Sequence, residues 1–530
     1  MRVKLTLSTW SALILIGSLL GSGMTHAAPT KQSIEQSIER AMDVFQVPGM
    51  AVSVVYDNKV FYSEGHGIVE FGSDSPVSEL TLFQIASVSK AFTTAALALL
   101  VDEGKLEWDA PVIDYLPEFR LYDPWVTREF TVRDLITHRS GLPLGAGDLL
   151  LFPEGNTSRD EVIRAMRYLK PSTSFRSEYA YDNLLFIIAG EVVARVSGLS
   201  FEDFLEQELL APLGMQDCTA SLGRAAAGAS KATPHILVDD EFEITRSHIT
   251  DTSSAAGGVN CSAASMARWM QFVLNEGKTE TGDQLLSAGQ FEQWVKPVTL
   301  LDPSSYMVEH AGSHLAAYAL GWGVSTFYGQ PMLSHGGGLW GMTSFIAVLP
   351  ESGLAVFASN NQMSAAPRAI VFDVLDQFLE ASSSEAGKDW IAILNDLYQA
   401  RLTEGAEAVA LADESRAATS TPSLPLEAYT GTYTDDWYGA IEISLDEDGS
   451  LWFQSGRSEH LAGPMEHFQF DTFIARWIDR KLNADAYVMF TLSPEGEVDR
   501  IRMKAVSPTT DFSFDFHDLD LKRVPDDKQD

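Results

Sequence analysis

The sequence predicts an α+β domain followed by an all-β barrel, and three observations carry that reading. Over residues 33–379, helical hydrophobic periodicity mixes with short apolar strands. Past a Ser/Thr/Pro-rich linker at 418–425, short strands of alternating pattern follow one another between acidic and glycine turns. Finally, 530 residues, 45% hydrophobic and 21% charged, suffice for two or three separately cored domains and exclude wholesale disorder.

Residues 1–28 read as an export signal. Arg2 and Lys4 precede a short apolar stretch at 13–20, and Thr25-His26-Ala27-Ala28 offers small residues for cleavage. The stretch is shorter than the about 20 residues a spanning helix needs. The mature protein is therefore expected to be periplasmic or extracellular, with no stable membrane span. The α+β domain is expected over 29–385, a helical segment and linker over 386–425, and the barrel over 426–530.

Within the first domain, 32–45 is an amphipathic helix, and 49–55 with 60–63 makes a hairpin around Asp57-Asn58-Lys59. An Ala/Leu-rich buried helix runs from Ser87 to Glu103 and is closed by Gly104. Another covers 184–196, ended by Ser197-Gly198. Strands at 343–349 and 354–359 flank the turn Pro350-Glu351-Ser352-Gly353. A helix over 390–411 leads to the linker. Barrel strands are expected at 440–445, 451–454, 488–492 and 498–503, enough alternation for a self-contained barrel.

Lys and Arg number 37 against 73 Asp and Glu, a formal net charge of −36. Such a surface repels phosphate backbones and no basic patch offsets it, so nucleic acid is not expected as a partner. The two cysteines, Cys218 and Cys261, are too few for a disulfide scaffold. Export permits a bond between them; two separate buried thiols are the alternative. No His/Cys cluster has zinc spacing, so no metal is expected.

The chemistry centres on Ser87-Val88-Ser89-Lys90, an S-x-x-K pattern. A Ser opening a helix and a Lys one turn later share a face, so the amine reaches the hydroxyl. The helix N-terminus favours negative charge developing on an acylated centre. Other segments accompany it: Thr131-Val132-Arg133-Asp134 with His138-Arg139-Ser140-Gly141, Tyr181-Asp182-Asn183, Pro212-Leu213-Gly214-Met215, Tyr318-Ala319-Leu320-Gly321-Trp322-Gly323 and Ser334-His335-Gly336-Gly337-Gly338.

In this order and spacing, residues 33–380 closely resemble the serine β-lactamase-related family: class C β-lactamases, DD-peptidases, D-aminopeptidases and family VIII esterases. The tail, with Tyr429-Thr430-Gly431-Thr432-Tyr433 and Tyr438-Gly439, resembles the lipocalin-like C-terminal domain that some of these carry. The resemblance implies an α/β sandwich, with an antiparallel sheet flanked by helices plus an all-helical region. It implies Ser87 as nucleophile, Lys90 as its partner, and Tyr181 as the group that shares the Ser proton and returns it to the leaving group. Asn183 would hold substrate or Lys90. His335, Gly336 and Gly337 would edge the pocket, with Ser87 and Gly338 N–H groups as the oxyanion hole. His138 to Gly141 would hold a turn beneath the site. No cofactor is implied.

A Ser hydroxyl needs an adjacent base, and burial of Lys90 beside Tyr181 would supply either a neutral amine or a phenolate. The implied substrate is a small ester, amide or D-residue peptide, cell-wall peptides among them. The alternatives are a non-turnover penicillin or peptidoglycan sensor and a true class C β-lactamase. That last branch usually carries Lys where this chain has His335. A neutral imidazole holds a carboxylate less firmly, and near its ordinary pKa of about 6.5 would do so in a pH-dependent way, so feeble β-lactam turnover is expected.

Overall fold

The computed structural model describes residues 29–238, 241–380, 386–417 and 419–525. The expected export signal and Ala418, the first linker residue, lie outside them. Alternation builds the first domain. In Met342–Leu349 and Leu354–Asn360 nearly every side chain is buried, because successive residues feed two different cores. Ile346, Val348, Ala355 and Phe357 pack towards the helix Ser89–Asp102. Phe345, Ala347, Val356 and Ala358 pack towards Lys31–Val44 and Ala366–Leu379. A strand covered on both faces reads as an unbroken apolar run, as these do.

Eight strands form that sheet in the order Lys59–Gly67, Gly49–Tyr56, Leu354–Asn360, Met342–Leu349, Gln330–Leu339, Gly323–Phe327, Ala316–Tyr318 and Thr299–Leu301. Every neighbouring pair is antiparallel. Thr30 caps the first helix in a reciprocal box with Ser33. The helix Ser89–Asp102 is buried on all sides from Ser89 to Leu100, so its apolar composition shows no stripe. Gly198, at φ 78°, closes Leu184–Ser197 where a side chain would be strained. Cys218 and Cys261 are joined in a disulfide. Cys261 pairs with Phe83 in a short ladder just ahead of Ser87. Among the described residues no single helix is long and apolar enough to cross a membrane.

The helix Trp390–Ser415 buries Trp390 against Phe327 and Phe372, then runs out to the barrel, where Gly405 abuts Thr509. Eight antiparallel strands from Gly431–Asp435 to Leu521–Arg523 close the barrel, the last pairing with the first. Inward residues such as Tyr433, Ile443, Phe453, Phe473, Val488, Phe490 and Ile501 fill it. The barrel closes on its own hydrogen bonds. Its core is continuous with that of the first domain. Asp515, fully buried, accepts the N–H of Gly147 at 2.7 Å and of Leu149 at 2.9 Å.

Candidate active site

Ser87 lies in a 3₁₀ turn, Ala86–Val88, that runs directly into Ser89–Asp102. Ala86 holds φ 49°, a conformation unfavourable for a residue with a Cβ, and buried packing enforces it. Ser87 is left half-exposed at the cleft. Ser89 is fully buried, and its Oγ accepts the Val259 N–H at 3.1 Å.

Lys90 is fully buried one turn on. Its Nζ lies 2.8 Å from Asn183 Oδ1, 2.8 Å from the Ala256 carbonyl and 3.2 Å from Ser87 Oγ. Burial pushes the amine down to about 7, outweighing the opposing pull of Asp148 and Asp182. Asn183 Oδ1 and the Ala256 carbonyl are acceptors, so in its neutral form the amine donates to both and has its lone pair left for the Ser87 hydroxyl. Tyr181 is hydrogen-bonded to Ser87, and burial holds its phenol well above the usual range. Both shifts favour the uncharged forms of Lys90 and Tyr181.

Two shells of contacts position these groups. His138 accepts the Asp182 N–H on Nδ1 at 3.1 Å, and its carbonyl accepts the Ala180 N–H. Its proton therefore sits on Nε2, and its ring lies 4.3 Å from that of Tyr181. This is the supporting role expected of that motif. Asn183 donates Nδ2–H to Asp148 Oδ2 at 2.8 Å, so Asp148 fixes which end of the amide meets Lys90. Burial, reinforced by Asp182 and Asp515, holds the Asp148 carboxyl well above the usual range.

The strand Gln330–Leu339 supplies the edge. Its neighbour Gly323–Phe327 pairs only as far as Ser334, leaving Gly336 and Gly338 on an open edge. The turn at Trp340-Gly341 makes Leu339 and Met342 the closing pair, and alternation then aims the Gly338 N–H into the cleft. His335 departs from expectation. Nδ1 donates to the Gly336 carbonyl at 2.7 Å, which leaves Nε2 to accept the Tyr318 hydroxyl at 3.0 Å. Burial, then Lys90, pushes its imidazole down to about 3. It therefore stays neutral across the working range and gives no pH-dependent charge for a carboxylate.

Gly337 and Gly338 make opposite demands. A Cβ at Gly337 would collide with Ile85 O and Ser344 Oγ and stand 2.9 Å from the Ala86 Cβ, whereas one at Gly338 meets nothing within 4 Å. Gly337→Ala is expected to lose about 1–3 kcal/mol by overpacking. It should also lose about 100-fold in rate by displacing the nucleophile turn. Gly338→Ala should keep its thermal midpoint; equal midpoints for both variants would refute the packing argument.

A cleft of about 760 Å³ opens on Ser87, Tyr181, Asn183 and the Gly336–Gly338 edge. Sequence reasoning missed several groups there. Arg368 lies over the Phe345 ring at 5.0 Å, beside Gly336. Tyr398 and Arg401 come from the helix Trp390–Ser415, and Asp511, Phe512 and Ser513 from the last barrel connection. The Phe512 ring stands edge-on to Tyr181 at 5.9 Å.

Residues 34–377 match the family model described as Beta-lactamase, and 415–523 match a domain of unknown function, DUF3471. The unguisins hydrolase ungD of Aspergillus violaceofuscus is 27% identical over 502 residues, covering 89% of this chain and 87% of that protein. Penicillin-binding protein 4 of Amycolatopsis lactamdurans is 28% identical, covering 59% and 81%. The octameric penicillin-binding protein homologue from Pyrococcus abyssi superposes at TM-score 0.60, with 20% identity over 93% of this chain and 99% of that one. A class C β-lactamase from Rhodobacter sphaeroides superposes at 0.54, with 21% identity over 65% and 99%. These two share the fold; the family model spans most of the chain, which therefore belongs to the beta-lactamase family of serine hydrolases.

Proposed function

We propose that the protein hydrolyses esters, amides or D-residue peptides through an acyl-enzyme on Ser87, with at most feeble β-lactam turnover. The observation that carries this is the buried Lys90 amine, held at 2.8 Å by both Asn183 Oδ1 and the Ala256 carbonyl and 3.2 Å from Ser87 Oγ. Lys90 takes the Ser87 proton as the hydroxyl attacks the carbonyl. The Ser87 and Gly338 N–H groups hold the oxyanion. Tyr181, kept protonated, donates to the leaving group and recovers a proton from Lys90, which took it from Ser87. Water then adds its hydroxyl to the acyl carbon and returns its proton to Ser87, freeing the acid.

A panel of p-nitrophenyl esters, D-amino-acid amides and a chromogenic cephalosporin tests this against Ser87→Ala. Steady turnover of an ester or amide is expected, abolished in the variant, with a fluorophosphonate label on Ser87 alone. A label on Ser89 would overturn the nucleophile. Cephalosporin turnover matching the best ester would favour the lactamase reading, and a burst followed by a plateau the sensor.

Because both His335 nitrogens are engaged, the nearest exposed fixed charge at this edge is Arg368. Arg368→Gln is expected to raise KM about 10-fold for substrates carrying a carboxylate, the worth of one charge-assisted bond. Neutral esters should be unaffected; an equal rise for both would remove Arg368 from recognition. We also propose export, with the mature chain starting after Ala28. N-terminal sequencing that finds Met1 retained would refute it.

A further inference from the structure

We propose that Glu154, His248 and His460 bind one divalent transition-metal ion, zinc by donor chemistry, at the seam between the hydrolase domain and the barrel. His248 is 2% exposed, yet among the described residues neither ring nitrogen has a hydrogen-bond partner. An imidazole so placed forgoes both of its bonds unless a group other than the protein's own meets a lone pair. His460 repeats the pattern. Its Nε2 is buried without a hydrogen bond, 3.8 Å from Glu154 Oε1, while Nδ1 lies 3.7 Å from Asp479 Oδ2. Asp479 stands close enough that a small shift would let it accept the Nδ1 proton, leaving Nε2 as the ligand.

One donor atom from each of the three residues lies within 4.8 Å of the others. Some point therefore lies within about 2.8 Å of all three, so less than about 1 Å of movement brings each to the 2.0–2.2 Å of a zinc site. Two imidazoles, a carboxylate and an open fourth position form a zinc-type set. The ring centroids of His248 and His460 are 4.7 Å apart. The supports are already in place: Ser458 Oγ donates to the Glu154 carbonyl at 2.8 Å, pinning the barrel turn to the Glu154 loop. Arg246, largely exposed, approaches Glu154 at 3.5 Å from outside and would yield to the ion. Spacing rules miss the site because its ligands come from three distant loops. Phe152 and Ile249, beside those ligands in sequence, line the cleft, so the ion would fasten the barrel to two walls of the active site.

The full chain, stripped with chelator and titrated with zinc chloride in a calorimeter, is expected to bind one equivalent and gain thermal stability. Asp479→Asn should weaken binding about 10–100-fold. His248→Ala and His460→Ala should weaken it further, with fluorophosphonate labelling of Ser87 reporting that the fold is kept. Cobalt should give the visible band of a four- or five-coordinate site in the parent protein. Should a His variant fail to fold, Asp479→Asn and the cobalt spectrum decide. Absence of a stoichiometric site, or one unchanged in Asp479→Asn and the His variants, would overturn the proposal.

Discussion

Lys90→Met is expected to lower kcat/KM for the best ester by about 10²–10⁴-fold, the usual worth of a positioned base, while the protein stays folded. Methionine keeps the length of the side chain but strands Asn183 Oδ1 and the Ala256 carbonyl, both bonded to Nζ at 2.8 Å. Each unmet acceptor costs about 1–3 kcal/mol, offset by removal of an amine that burial already pushes down to about 7. The pH dependence follows from the same group. The free amine is the base, so kcat/KM should rise from the acid side and level above about pH 7. Asp182, pushed by burial to about 7, titrates in the same range. Its Oδ1 accepts the Leu185 N–H at 3.1 Å and does not bond Ser87, so Asp182→Asn should keep the limb. Loss of the limb in Asp182→Asn, or its survival in Lys90→Met, would reassign the base.

Asp515→Ala should cost about 2–6 kcal/mol, because two buried N–H groups, those of Gly147 and Leu149, lose their acceptor. Those residues flank Asp148, which orients Asn183, which in turn holds Lys90. A barrel residue thus braces the catalytic lysine, and kcat should fall along with the thermal midpoint. Burial, first of all, holds the Asp515 carboxyl well above its ordinary value, although the bonds from Leu149 and Gly147 oppose it. A raised folded value means that the native state takes up the proton before the unfolded chain does. The contribution is therefore fully present below the unfolded pKa of about 3.9 and is lost as pH rises through the folded value. The midpoint gap between parent and variant should widen on acidification. A gap that narrows, or an unchanged kcat, would show that the brace does not reach the site.

Ser87 and Lys90 were legible because a helical turn is a local geometry, and any S-x-x-K on a helix places them together. Tyr181 and Asn183 were legible only through the resemblance of Tyr181-Asp182-Asn183 to the family's Y-x-N motif. Asp148, Arg368 and the Ala256 carbonyl were not, since each reaches the site through a tertiary contact that no local period announces. His335 was placed correctly, but its charge state was not: that depends on Tyr318 and on burial beside Lys90. The barrel strands followed from alternation, whereas the docking surface rests on single contacts from irregular segments, those of Asp515 and Ser458 among them. Disposition of the strands is written in side-chain pattern; the seam is written in single residues.

The wall opposite Ser87 is built from chain that follows the hydrolase fold: Tyr398 and Arg401, then Asp511 to Ser513. Part of the cleft wall is thereby inherited on a stretch of the gene separate from the nucleophile and its base. Changes to the tail can re-rank substrates while leaving the nucleophile and its base untouched, so relatives can diverge in diet without rediscovering the chemistry. Exchanging tails between such relatives should move preference with the tail and the pH profile with the body. The join must respect one condition: Asp515 and the loop at Gly147–Leu149 have to travel as a matched pair, or the hybrid inherits a new appetite with a loosened lysine.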